Sequence, residues 1–237
     1  MTNINANFEY CIKKFGPPQD GETVPTEIRE THRGKVPQSL LDFWDVYGTG
    51  LWLDGKFQLV RPDRYQSLVD MLFEGDPDFP PGQSVLIGYT AFGTLMIWND
   101  KNYFLRTDLV DKVAFTRHVS PKHPMLDGDR NLPTTLSNID GDGYDYIEHT
   151  DAAKPLFARA MKKCGKLAYG ECYGFVPAVG LGGRGVLDEV KKVRAAEHFA
   201  IIGQLEPIQL RYMDTEKRKI VVLREIGAPQ SVALPSE

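Results

Sequence analysis

A glycine-rich segment at residues 180–185 is the part of the sequence whose residue types most directly suggest chemistry. It reads Gly-Leu-Gly-Gly-Arg-Gly and so matches the G-x-G-x-x-G pattern of dinucleotide-binding loops. In those proteins the pattern follows a strand and opens a helix, whose N-terminus holds the pyrophosphate. Here Pro177 interrupts the preceding strand-like residues, and the segment begins too late to leave room for a parallel sheet of that kind. A loop that serves backbone geometry or contacts a partner is therefore favoured over a nucleotide-binding loop.

A second segment with ligand chemistry lies at residues 138–143, which read Asn-Ile-Asp-Gly-Asp-Gly and imitate the opening of a calcium loop. An EF-hand would then need an aliphatic residue at position eight and Glu at position twelve. Those positions hold Asp145 and His149. The pattern is typical of an Asp/Gly-rich turn, and whether residues 138–148 bind an ion outside the EF-hand class stays open.

The other residue types that carry catalysis are scattered along the chain. The five histidines lack an H-E-x-x-H or other compact ligand spacing, no serine lies in a G-x-S-x-G elbow, and the three cysteines form no C-x-x-C pair. We therefore expect no catalytic residue, no metal and no cofactor. The residues concerned are His32, His118, His123, His149, His198, Cys11, Cys164 and Cys172.

Helical and strand patterns that could position these segments alternate in the first half of the chain. Leu40, Phe43, Trp44 and Tyr47 recur at three and four residues, which predicts a helix over 37–47 that ends at Gly48. A short strand over 57–60 and a helix over 63–73, capped by Asp63, follow. The next segment, 74–82, is acidic and rich in proline and is predicted to be irregular. The three tryptophans fall on the helix stripe and strands, so they are expected in the core rather than on a surface that stacks bases.

A run of strands is predicted next, followed by a mixed C-terminal part. Residues 84–90, 94–99, 103–108 and 113–120 are rich in β-branched and aromatic side chains, and the turn between the second and third favours an antiparallel meander. The C-terminal part is predicted to contain helices over 151–163 and 186–202 and a hairpin of strands over 207–213 and 219–226. The expected fold class is α+β, an antiparallel meander packed with helices in two lobes.

The division into lobes follows a change in composition. Residues 121–145 are rich in Pro, Gly and Asp, so we expect domains at 1–120 and 146–237 joined by a connector at 121–145. The N-terminal residues show no secretory signal pattern, and the longest apolar stretch, 85–98, is too short and interrupted to span a bilayer. A soluble cytoplasmic protein is expected.

Charge is divided unevenly along the 237 residues. The formal net charge is −4, but residues 1–150 hold 14 Lys/Arg and 22 Asp/Glu, a net −8, whereas residues 151–237 hold 14 and 10, a net +4. An acidic N-terminal part argues against nucleic acid or an anionic membrane as the direct partner, because both require a basic surface. A basic protein partner is compatible with it.

Two series of residues resemble known families. The N-terminal series FGPP (15–18), VPQSLLDFWDVYGTG (36–50) and TAFGTLMIWN (90–99) resembles the GAD-like domain of bacterial toxin-immunity loci. The C-terminal series YGFVPAVGLGG (173–183) and EHFAIIGQL (197–205) resembles the domain that accompanies it in type VI secretion immunity proteins for DNase effectors. The chain is also distantly similar to immunity and interaction modules of the SMI1/KNR4 type, which are α+β.

The resemblance implies a cytoplasmic immunity protein that binds a cognate toxin of nuclease type and blocks it without chemistry of its own. Arg184 departs from the small or neutral residue expected in the glycine-rich loop. A nuclease presents a basic groove to phosphates, so an inhibitor can meet the same charges with carboxylates. The candidate contacts are Asp42, Asp45, Glu74, Asp76, Asp78, Gly182, Gly183 and Arg184.

Two other functions stay open on the sequence. One is a nucleotide-binding protein or enzyme that uses residues 180–185. The other is a regulatory interaction module of SMI1 type that has no toxin as its partner. The sequence does not indicate the oligomeric state.

Overall fold

The structure is a computed structural model that describes residues 4–116, 127–150, 153–214 and 218–227. Seven helices lie in those ranges: α1 (Ala6–Phe15), α2 (Thr26–Thr31), α3 (Gln38–Tyr47), α4 (Gln66–Leu72), α5 (Gly128–Leu136), α6 (Phe157–Cys164) and α7 (Ala195–Gly203). The strands of the same ranges are β1 (Gly50–Trp52), β2 (Phe57–Leu59), β3 (Ser84–Thr90), β4 (Thr94–Asn99), β5 (Tyr103–Asp108), β6 (Val113–Thr116), β7 (Glu171–Phe175), β8 (Val190–Arg194), β9 (Gln209–Asp214) and β10 (Lys219–Glu225).

One eight-stranded sheet, in the order β1-β2-β3-β4-β5-β6-β9-β10, dominates the fold. All neighbouring strands run antiparallel except β6 and β9, which are parallel because the chain crosses over through β7, β8 and α7 between them. Strands β7 and β8 form a separate antiparallel pair. The α+β fold and the antiparallel meander predicted from the sequence are confirmed.

Helices cover both faces of the large sheet. Since successive side chains of a strand point to opposite faces, one strand contributes to two core clusters. In β4, Met96 and Trp98 lie in the core cluster that contains α1, α3 and α5, whereas Leu95 and Ile97 lie in the cluster with α4 and α7. The burial of Trp44, Trp52 and Trp98, each at most 1% exposed, confirms that the tryptophans belong to the core. A third cluster gathers around the turn between β3 and β4.

The predicted helix over 186–202 is wrong in its first half. Residues 190–194 form β8, which pairs with β7 so that Val190 lies opposite Phe175 and Val193 opposite Cys172. Leu187–Glu189 form a 3₁₀ turn, and α7 is the part of the predicted range that is α-helix. Valines at 190 and 193 fit a helical stripe as well as a strand, and the partner strand decides between the two because β-branched side chains pack well on a pleated surface.

Two predicted helix starts are also wrong. Residues 62–64 form a 3₁₀ turn and α4 begins at Gln66, so Asp63 caps no helix; its carboxylate instead accepts hydrogen bonds from Arg61. Helix α6 begins at Phe157, six residues later than predicted, because Pro155 pairs with Ile147 in an isolated bridge and its predecessor is disfavoured in helical conformation. Gly48 ends α3 as predicted, and Gly165 ends α6.

The predicted connector at 121–145 contains a helix that its Pro-, Gly- and Asp-rich composition does not indicate. Helix α5 lies in it, begins at an Asp127 cap and packs against α1 and α3. Strands β9 and β10 join the sheet of the N-terminal part, so the two predicted lobes share one sheet. The domain boundaries at residues 120 and 146 stay a prediction, and the end of the strand predicted over 113–120 lies outside the described residues. In the described ranges, each helix is too short or too polar to cross a bilayer.

Candidate partner-binding site

Three sequence segments singled out above meet at one place in the fold. They are the β3–β4 turn, β7 with the glycine-rich loop after it, and α7. The amide of Tyr173 on β7 donates to Ala91 O in the turn at 2.7 Å. Next to it, the ring of Phe92 lies 5.7 Å from the ring of Phe175 at 21° and 5.5 Å from the ring of Tyr173. The turn of the N-terminal part thus inserts an aromatic side chain into the C-terminal core.

Glycines allow α7 to lie close against this junction. A Cβ on Gly174 of β7 would lie 2.6 Å from Nε2 of His198, and a Cβ on Gly93 would lie 2.9 Å from the ring of Phe199. Both contacts are shorter than a methyl group tolerates. Residues 198 and 199 of α7 therefore pack directly on backbone, one on each part of the chain.

The glycines of the loop serve backbone geometry. A Cβ on Gly183 would lie 2.2 Å from Pro177 O, which excludes a side chain there. Gly182 and Gly185 have φ values of +89° and +64°, a conformation that other residues rarely adopt. A Cβ on Gly185 would also lie 2.4 Å from the hydroxyl of Tyr146.

The backbone amides of the same loop are already hydrogen-bonded within the chain and are not free to bind a phosphate. The amides of residues 181–185 all donate to acceptors within the chain: Ala178 O, Val179 O and the Glu189 carboxylate. The loop leads through a 3₁₀ turn at Leu187–Glu189 into β8, so it does not open the α-helix that the dinucleotide-binding pattern requires. The structure therefore disfavours the nucleotide-binding alternative.

Arg184 completes this internal network while its side chain stays largely in solvent. Its Nε donates to the Glu189 carboxylate at 3.0 Å, and its side chain is 70% exposed. Hydrogen bonds from Arg184 hold the pKa of Glu189 below its ordinary value. The loop is thus preorganised, with its arginine at the surface.

A narrow crevice lies between the glycine-rich loop, α7 and the turn that connects β5 to β6, and we call it the loop–α7 crevice. Its walls are mostly apolar, and two side chains in it can carry a positive charge, Lys112 and His198. Burial lowers the pKa of both groups, although Glu206 and Asp108 oppose the shift at Lys112. Its other lining residues are Leu109, Val110, Phe175, Ala178, Val179, Gly180, Ile202 and Leu205.

The rim of the crevice carries large apolar side chains in solvent. Val176 is 55% exposed, Leu181 62% and Ile201 58%. Each adjoins a lining residue in the sequence: Val176 follows Phe175, Leu181 follows Gly180, and Ile201 precedes Ile202. Such a group of apolar residues around a preformed crevice is typical of a surface that binds another protein.

Two of the acidic residues predicted to contact a partner are engaged inside the chain. The Asp76 side chain is fully buried, and its carboxylate accepts from Arg224 on β10 at 2.6 and 2.9 Å; Arg224 also donates to Asp78 at 2.6 Å. Burial would raise the pKa of Asp76, but hydrogen bonds from Arg224 and from the amides of Gly227 and Phe79 outweigh it and hold the pKa below its ordinary value. Asp76 therefore fixes the acidic loop to the sheet edge and presents no carboxylate to solvent.

The remaining predicted acids lie at the surface. Asp42 accepts from Gln38 one turn earlier in α3, Asp45 is exposed and pairs with Arg29, and Glu74 is exposed. They lie on the N-terminal part, whereas Gly182, Gly183 and Arg184 belong to the loop next to the crevice. Partner binding by any of them stays a prediction.

The Asp-rich residues 138–148 have separate structural roles. Asp140 pairs with Lys14 at 2.8 Å, and Asp145 accepts from the amides of Leu156 and Phe157. Glu148 is buried, and its carboxylate accepts from Arg159 and from the amide of Leu187 at 2.8 Å. Within the described residues, no three His, Cys, Asp or Glu side chains are grouped so that they could hold a metal ion.

The histidines show no common site in the described part of the chain. His32 is buried beside Ile28 O, His149 lies 3.2 Å from Asp111, and His198 lines the crevice. His118 and His123 lie outside the described residues. Sequence reasoning missed Lys112, whose turn position after Asp111 reads as an ordinary surface lysine and gives no signal of burial.

Comparison with known proteins divides the chain in two. Residues 6–109 match the model of the GAD-like domain, and residues 145–206 match the model described as T6SS immunity protein Tdi1, C-terminal. The second match contains β7, the glycine-rich loop, β8 and α7, but not Lys112. No curated protein matches the chain.

A solved structure shares the fold over almost the whole length. The crystal structure of Atu4351 from Agrobacterium tumefaciens superimposes with a TM-score of 0.87 and 26% sequence identity, over 94% of this chain and 99% of that one. The match to the immunity family supports an immunity role in type VI secretion. The chain thus matches two family models in this order, the GAD-like domain and the T6SS immunity protein Tdi1, C-terminal.

Proposed function

We propose that this chain is an immunity protein that binds a cognate type VI secretion toxin in the cytoplasm and neutralises it without catalysis. The observation that carries the proposal is the match of residues 145–206 to the Tdi1 C-terminal model. The exposed apolar rim within that region supports it, because large apolar side chains kept in solvent are costly unless a partner covers them.

The toxin is of DNase type in this proposal. A nuclease carries a basic groove for the phosphate backbone, and the net charge of −8 over residues 1–150 gives the inhibitor a complementary field. Surface acids contribute to this field, among them the partly exposed Asp42 and the exposed Asp45 and Glu74. Occlusion of the groove is the simplest mechanism of inhibition, and distortion of the toxin's fold is the alternative.

Co-expression tests the immunity function. The toxin encoded by the neighbouring gene is induced in a susceptible host with this chain, with an empty vector, or with an unrelated acidic protein of similar size. We expect growth, intact chromosomal DNA and a complex that co-purifies only in the presence of this chain. DNA degradation that continues in cells containing the folded chain would refute the proposal.

The electrostatic part has its own test. Association rates with the purified toxin are measured from low salt to ~0.5 M, where the Debye length falls to roughly 4 Å. Steering by the acidic part predicts a rate that falls steeply with salt while the dissociation rate changes little. A rate independent of salt would remove the steering argument and leave the immunity function standing.

A further inference from the structure

The loop–α7 crevice has a charge that the chain itself does not neutralise. Lys112 is only 7% exposed, and its ammonium donates to the backbone carbonyl of Ile202. An ammonium carries three donors, and a buried cation without a counterion is costly. Among the described residues, no carboxylate lies within ion-pair distance of Lys112.

Two acids further from Lys112, Asp108 and Glu206, do not form an ion pair with its ammonium. The Asp108 carboxylate accepts from the amides of Val110 and Asp111 and from the hydroxyl of Thr94, so the β5–β6 turn already uses it. Glu206 is exposed at the edge of the crevice, beside Gly180. His198 on α7 is the other side chain in the crevice that can become a cation.

The rim sets a second requirement on any occupant. Leu181 and Ile201 are each more than half exposed, and each adjoins a lining residue in the sequence, Gly180 and Ile202. A ligand that satisfied Lys112 alone would leave these side chains in water. The complementary ligand therefore carries a negative group with apolar residues on both sides of it.

Resting on the proposed function, we propose that the loop–α7 crevice is a docking site for the toxin and that its occupant is an Asp or Glu side chain within an apolar segment of the toxin surface. The carboxylate accepts from Lys112, and the flanking apolar residues cover Leu181 and Ile201. Contacts of this kind, desolvated at the centre with an apolar surround, account for most of the affinity in protein interfaces.

Variants of the crevice test the proposal against the neighbouring gene's toxin, used as a nuclease-inactive protein. Leu181→Asp adds a negative charge to the exposed rim, which repels a carboxylate of the toxin. Lys112→Met removes the ammonium and keeps an unbranched side chain of similar length. We expect each to weaken binding about tenfold or more. Ile220→Asp, on the exposed face of β10, is the matched control and should change the dissociation constant by less than about twofold.

Three outcomes would overturn the proposal in different ways. If wild type binds and Leu181→Asp binds equally well, the crevice is not the docking site, although the immunity function stands. If Leu181→Asp weakens binding and Lys112→Met, shown to be folded by circular dichroism, does not, the carboxylate occupant is refuted. If wild type itself does not bind, the toxin is not the partner, and both the proposed function and the toxin docking site are refuted.

Discussion

Residues distant in sequence account for the behaviour of the acidic loop. Asp76 and Arg224 are 148 residues apart and form a buried pair that joins the loop after α4 to the last strand. The sequence shows the two acids but not their partner, so it predicts Asp76 and Asp78 as surface contacts. Their charge is evident from the sequence, but their common partner Arg224 cannot be identified from it.

Removing the Asp76 carboxylate should destabilise the protein. In Asp76→Asn, Arg224 keeps its buried charge without its main partner, and the loss of one member of such a pair costs about 3 kcal/mol. Glu74→Gln, two residues away and exposed, is the matched control and should change the free energy of unfolding by less than about 0.5 kcal/mol. Urea denaturation measures both; equal effects would contradict the assigned role of the pair.

The same pair gives a pH dependence with a defined sign. Because the folded pKa of Asp76 is below its ordinary value, its contribution to stability is complete above the unfolded pKa of ~3.9 and is lost as pH falls through the folded pKa. The difference in stability between wild type and Asp76→Asn should therefore be constant from about pH 5 to 7 and shrink below pH 4. A difference that grows on acidification would contradict it.

Two neighbouring glycines should respond differently to the same substitution. Gly183→Ala places a methyl group 2.2 Å from Pro177 O and must move the loop, whereas Gly182→Ala meets no atom within 4 Å and has only the cost of a positive φ, about 1 kcal/mol. We expect Gly183→Ala to be the more destabilising in thermal denaturation. Equal effects would show that the close approach of the loop to residue 177 does not constrain it.

At the scale of elements, the β3–β4 turn connects the N-terminal part to the C-terminal part. Phe92 is 4% exposed and packs among Tyr146, Tyr173 and Phe175. Because the crevice is built on β7 and α7, which pack on this turn, the junction also positions the candidate binding site.

Phe92→Ala should therefore lower the free energy of unfolding of the whole chain rather than of one part. Truncation of a buried phenylalanine costs about 3–5 kcal/mol, and unfolding followed by tryptophan fluorescence and by far-UV circular dichroism should shift together. Tyr10→Ala, at a side chain 55% exposed on α1, is the control and should leave both transitions in place. Two separate transitions in Phe92→Ala would show that the halves fold independently.

The elements also show where local pattern is sufficient. Strands β3, β4 and β5 have the predicted bounds because each combines β-branched and aromatic residues with polar turns at its ends. The sequence predicts the segment at 190–194 as helix because the spacing of three between Val190 and Val193 fits a helical stripe. Its pairing with β7 makes it a strand instead, and the two valines then pack against different core clusters. For the candidate site, the sequence predicts the glycine-rich loop. It does not predict Lys112, which lies in the turn between β5 and β6 and has no local pattern that indicates burial.

At the scale of the whole molecule, the sheet passes from the N-terminal part into β9 and β10, so an acidic and a basic part of the chain share one structure. This arrangement places exposed acids on the N-terminal part and the crevice where the two parts meet, with Lys112 from the N-terminal part and the glycine-rich loop and α7 from the C-terminal part. In the proposed function, the first steers the toxin and the second anchors it. The two roles predict separate effects, on the association rate for surface acids and on the dissociation rate for the crevice.

The most direct test of the account is a titration of the purified chain into a DNA-cleavage assay of the purified toxin from the neighbouring gene. The account predicts that cleavage falls in proportion to added chain and stops at one equivalent, with a complex of both proteins in size-exclusion chromatography and the toxin otherwise intact. Cleavage that continues unchanged at a large excess of folded chain would contradict it.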